Sequence, residues 1–184
     1  RDYGAVGRAF ADIKHQLGPI DAMIYNPQPP LVGDLREWMP VTMNFEELHR
    51  CMDICCLAAI NCVHQVAPDM IERGDGAIII TTSGSAIDPI NTLGSIALSM
   101  AAARNYAYTL NQTLADKGVY AGTVCLSLLV EPGDKHGDPD VLAEAFWDLY
   151  TKRDRPENNV RTDVDPHEHH IRDMERFGRE IPKS

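Results

Sequence analysis

A chain of 184 residues with 44% apolar content has enough material for one domain with a real core. Its net charge of −10 argues against nucleic acid or an anionic membrane as the main partner, because both attract basic surfaces. No continuous apolar run approaches the roughly 20 residues a membrane span needs. The start is polar and helix-like rather than a secretory signal, so the expectation is a cytoplasmic protein with reduced thiols.

Asp2 is placed to cap a helix through Val6, Phe10, Ile13 and Leu17, which Gly18-Pro19 stops. Ile20 to Tyr25 reads as a short buried strand. Asn26-Pro27-Gln28-Pro29-Pro30 breaks it, since proline cannot continue a ladder, and a loop follows to about Thr42. Asn44, with Glu47 three residues on, approximates a capping box for a helix reaching about Arg73. Four of the five cysteines fall in this helix. Cys51, Cys55 and Cys62 lie near one face at helical spacing and Cys56 points elsewhere; all read as small apolar residues.

After the turn Gly74-Asp75-Gly76, Ala77 to Thr82 is a β-branched run that is apolar on both faces in its first half. A parallel strand covered on both sides requires that pattern. A helix from about Thr92 to Lys117 ends at Gly118, and Val119 to Val130 contains a third strand. A helical segment follows around Pro139–Asp154, with Trp147, Leu149 and Tyr150 on its apolar face. From residue 156 the chain is highly charged with little apolar periodicity, and reads as an extended arm. Within it, the cluster of Asp163, Asp165, His167, Glu168, His169 and His170 matches no metal-cage spacing and reads as a solvated stretch. Alternation of helices and short apolar strands predicts an α/β fold with a parallel sheet and long flanking helices.

Three stretches carry a family likeness. Gly18 to Asn26 is similar to a strand that ends in Asn-Asn-Ala-Gly, here reduced to Tyr25-Asn26-Pro27-Gln28. Gly76 to Ser83 is similar to Gly-x-Ile-Val-x-x-Ser-Ser, and Asp116-Lys117-Gly118-Val119 to the loop before a sixth strand. In this order and spacing they resemble the short-chain dehydrogenase/reductase superfamily, over residues 1 to about 130. The resemblance implies a partial doubly wound, Rossmann-like sheet holding strands four to six of the order 3-2-1-4-5-6-7. Residues 1–155 would form the core and 156–184 an arm. It also implies NAD(P), and a homodimer or homotetramer built on the two long helices.

Ser83 occupies the position of the family's catalytic serine, and Asn26 is the one residue that matches a cofactor-side motif. The tyrosine thirteen residues after the serine becomes Ile96, and the lysine four further on becomes Met100. The asparagine thirteen residues before a proline, here Pro68, becomes Cys55. Isoleucine has no proton to give to a developing alkoxide, and methionine has no charge to lower a phenol pKa. Tyr106 and Tyr108 read as packing residues, and Ser95 and Ser99 as helix hydroxyls.

No Gly-rich pyrophosphate turn is present, so the expectation is an upstream segment of roughly 60 residues, by analogy with two-half doubly wound domains. The alternative is an edge repaired by oligomerising. Two functions stand open. One is a divergent NAD(P)-dependent oxidoreductase. The other is a non-redox protein, either a binding module for a small apolar molecule held by Cys55, Ile96 and Met100, or an isomerase or cyclase on the same scaffold.

Overall fold

The computed structural model describes residues 2–30, 34–176 and 178. Asp2 caps helix α1 (Tyr3–Leu17), its Oδ1 accepting the Ala5 amide at 2.9 Å. Strand β1 (Ala22–Tyr25) follows, then helix α2 (Phe45–Met52), which Asn44 caps through the amides of Glu46 and Glu47. A π-helical turn over Asp53–Leu57 joins α2 to α3 (Ala58–Arg73). Strand β2 (Gly76–Ser83), helix α4 (Gly94–Leu114) and strand β3 (Val119–Ser127) complete the central part. Helix α5 (Pro139–Lys152), strand β4 (Glu157–Arg161) and helix α6 (Pro166–Arg176) close it.

The strands form one parallel sheet in the order β1-β2-β3-β4. Alternation along β2 sends Ile78 and Ile80 to one face, against Ala59, Val63, Val66 and Met70 of α3 and Ala103 and Ala107 of α4. Ala77 and Ile79 go to the other face, against Ala145 and Leu149 of α5. Both faces are covered, as a parallel sheet needs, and each buried isoleucine contributes about 1.5–3 kcal/mol. Between β2 and β3, Thr82 and Thr123 satisfy each other at 2.9 Å. Gly118 ends the crossover from α4 with φ of 73°, and its missing Cβ leaves room for the Gly74 carbonyl, 2.2 Å from where that atom would sit.

Four features differ from the sequence expectation. First, the charged segment after residue 156 contains an edge strand and a helix rather than an extended arm. Strand β4 is polar because its partners are polar: Glu157 holds Arg104 at 2.5 and 3.1 Å, and the Asn158 amide donates to the Ala145 carbonyl. Second, the π turn breaks helical phase, so Cys62 packs beside Cys56 on the sheet side, away from Cys51 and Cys55. Third, the acidic and histidine cluster separates onto different partners. Asp163 pairs with Lys135 and His136, Asp165 caps α6, and His170 turns inward. Fourth, the helix from Phe45 to Arg73 is long and apolar enough to cross a membrane by length and composition. Interrupted charges hid this from a search for an unbroken run. Its apolar face packs on the sheet.

Candidate active site

Helix α4 carries a single apolar stripe through Ile96, Met100, Ala103, Ala107 and Leu114, the spacing of one helix face. Its C-terminal part lies on the sheet. Its N-terminal part, Ile96 and Met100, meets Cys51 and Cys55 from the α2–π segment and the Trp38 ring from the loop after β1. Cys55, Ile96 and Met100, which the sequence singles out, thus come together in space. They form a closed cluster, with Trp38 0%, Cys51 0%, Cys55 2%, Ile96 2% and Met100 3% exposed. The pocket expected among them is filled by the indole.

Trp38 is the residue that sequence reasoning passed over. It ends a 3-10 turn (Leu35–Trp38) capped by Asp34, and Leu35 and Trp38 are its two buried positions. An apolar pair three residues apart after a capping aspartate was the available signal. The loop seats tightly against the start of α4: a Cβ on Gly94 would lie 2.5 Å from the Trp38 carbonyl oxygen.

The chemistry of the cluster is apolar throughout. Burial pushes the Cys55 thiol up to about 12, with neighbouring Cys51 adding to the shift, and pushes Cys51 up to about 11. Neither is a thiolate nucleophile near neutral pH. The π turn that bears Cys55 also presents the Ile54 carbonyl, which accepts the Tyr25 hydroxyl at 2.5 Å. Burial raises the Tyr25 phenol well above its ordinary value, so it serves as a fixed donor rather than an acid.

Ser83 ends β2 and is half-buried. Its Oγ accepts the Ser85 amide at 3.3 Å and the Ser85 hydroxyl at 3.0 Å, so neither bond uses its own proton. The turn Gly84–Ala86 that follows is close-packed, since a Cβ on Gly84 would fall 1.8 Å from Ser127 Oγ. Ala86 of this turn touches the Trp38 cluster, which puts Ser83 beside the cluster but outside it.

Asn26 is exposed at the carboxyl end of β1 and lines a separate apolar groove of about 590 Å³. The floor of the groove is Ala22, Ile24, Ala77 and Ile79, and its wall is Phe146, Trp147 and Tyr150 of α5. NAD(P) fits poorly with the residues described here. Among the described residues, Asn26 could offer one amide and Ser83 one hydroxyl, but the positions that resemblance gives to acid and cation hold sealed hydrocarbon and thioether.

The fold is similar to that of known proteins. A metagenomic short-chain oxidoreductase solved in complex with NADP superposes with a TM-score of 0.73 at 20% identity, covering 89% of this chain and 71% of that one. The 2,3-dihydro-2,3-dihydroxybenzoate dehydrogenase of Bacillus subtilis is 24% identical over 88% of this chain and 55% of its own length. The mouse protein named inactive hydroxysteroid dehydrogenase-like protein 1 is 30% identical over 65% of this chain and 36% of its own length. The chain therefore spans about half or less of these two relatives. The family model for short chain dehydrogenases matches residues 1–133, and the chain belongs to that family.

Proposed function

We propose that this protein is a divergent short-chain dehydrogenase, nominally an NAD(P)-dependent oxidoreductase, that does not carry out tyrosine-dependent carbonyl reduction. One observation carries this reading: Ile96, Met100 and Cys55, which stand where resemblance puts acid, cation and relay, are packed shut under Trp38. Carbonyl reduction needs a proton delivered to the developing alkoxide, and general acid catalysis contributes about 10²–10⁴-fold. Ser83 retains a hydroxyl that can donate to a carbonyl, but its pKa is too high to act alone as the acid. The name of the mouse relative is compatible with such a loss. Free cysteines and an acidic surface support a cytoplasmic, reduced-thiol setting without nucleic acid or membrane as partner.

The apolar groove favours a second reading, a non-redox protein that holds a small apolar molecule. Its volume lies in the range of ligand pockets, and its lining is mostly apolar and aromatic, with Asn26 among its few polar groups. An isomerase or cyclase on this scaffold is the catalytic form of the same reading.

The experiment is NAD(P)H binding and oxidation with a panel of ketones, for the chain and for the Ile96→Tyr/Met100→Lys double substitution. The expected result is no turnover by the unmodified chain above the protein-free rate. Robust turnover that Ser83→Ala abolishes would show that another group supplies the proton. Absence of cofactor binding in both forms would favour the non-redox reading.

A further inference from the structure

Among the described residues, three side chains anchor helix α6 to the body. Met174 is buried. Arg176 grips Glu131 through two bonds of 2.7 and 2.9 Å on the surface. The third anchor is His170, only 8% exposed, whose Nε2 lies 2.7 Å from the Thr92 hydroxyl. Thr92 is itself buried, in the 3-10 turn Asn91–Leu93 that leads into α4. The helix thus bridges the entry to α4 and the loop after β3. It also supplies His169, Arg172 and Arg176 to one wall of a cavity of about 380 Å³, whose other walls are the loops following β3 and β4. Crevices outside the carboxyl ends of parallel strands are where α/β folds admit ligands.

We infer that α6 is a pH-released strap: protonation of His170 undoes its seat on Thr92 and opens the cavity at the carboxyl ends of β3 and β4. A buried imidazole is tolerated when neutral, and a buried imidazolium needs a counter-charge. The groups that bear on the ring are His167 and His169 of its own helix; the turn before α4 presents the uncharged Thr92 hydroxyl. Burial first, then the two neighbouring histidines, lowers its affinity for a proton.

The sign follows from that direction. Docking stability is fully present above the pKa of an undocked histidine, near 6.5, and is lost as pH falls below it. The other anchors do not weaken in that window. The Arg176 guanidinium holds Glu131 below the usual carboxylate range, so it stays charged.

The test is hydrogen–deuterium exchange, corrected for intrinsic rates, at pH 7.5 and 5.5. Protection of residues 166–176 should fall roughly tenfold, the limit for one proton gained one unit below an undocked pKa of about 6.5. Protection of β2 and β3 should hold. In His170→Gln, protection of the same helix should be independent of pH, whatever its level. Protection in the unmodified chain that does not change with pH would overturn the strap. So would an equally steep fall in His170→Gln, which would place the titrating group elsewhere.

Discussion

Trp38 carries the largest share of the closed cluster, because its ring replaces both the space and the polarity that a reaction would need. Removing it should leave a cavity beside Ile96 and Met100. Trp38→Ala is expected to cost about 3–5 kcal/mol of unfolding free energy, measured in urea, as for other large aromatic truncations in cores. It should also change thiol chemistry. In the folded chain at pH 8, Cys62, half-buried, should react with a disulfide reagent well before Cys51 and Cys55, whose thiols burial holds protonated. In Trp38→Ala the two buried thiols should become reactive. A loss under 1 kcal/mol with unchanged thiol kinetics would mean that the ring does not seal the cluster. Ile96 and Met100 could be found by counting along the sequence, since a serine-bearing strand end and a helix stripe fix their register. Trp38 could not be found that way, because its contacts join a loop to helices further along the chain, and its one local signal is the apolar pair Leu35 and Trp38 after Asp34.

At the scale of elements, the strands that could be read from sequence were those with β-branched runs, Ala77 to Thr82 above all. Strand β4 was hidden because an edge strand satisfies itself with charged and amide side chains, which in a linear sequence look like a solvated tail. The π turn was hidden for a different reason: one extra residue in a helical turn leaves composition unchanged and shifts phase only in space. The long helices leave apolar side chains outside the core, with Leu57 in the π turn and Leu98 on α4 both exposed. We propose that these faces meet their counterparts in a homodimer or homotetramer. Obligate interfaces are large, on the order of 2,000 Å² or more. Sedimentation at micromolar concentration should therefore show a dimer or larger species, and Leu98→Arg should shift it toward monomer. A monomeric parent chain would refute the interface.

Across the whole molecule, one sheet edge is quiet and the other is open. Among the described residues, strand β4 ends the sheet in polar ties, while β1 pairs only with β2 and borders the apolar groove where Trp147 is 60% exposed. A parallel strand with an unpaired edge and an uncovered apolar face invites another element. We propose that further polypeptide, from the same protein or a second copy, covers this edge. Sequence alone indicated the open edge, but the groove became visible only once α5 was placed, because its wall and floor come from segments far apart along the chain.

Three of the positions that resemblance assigns to catalysis, Cys55, Ile96 and Met100, are interior. Melting of Met100→Lys beside Met100→Leu tests this most directly. A lysine there would lie among the apolar side chains of Trp38, Cys51, Cys55 and Ile96, none of which can pair with its charge. An uncompensated buried charge costs about 3–5 kcal/mol, whereas a near-isosteric apolar swap costs under about 1.5 kcal/mol. For a chain of this size that predicts a drop in melting temperature of roughly 10 °C for the lysine variant and no more than about 5 °C for the leucine variant. A lysine variant that melts within about 2 °C of the parent would mean that position 100 faces a wet, polar cleft, and would contradict the account.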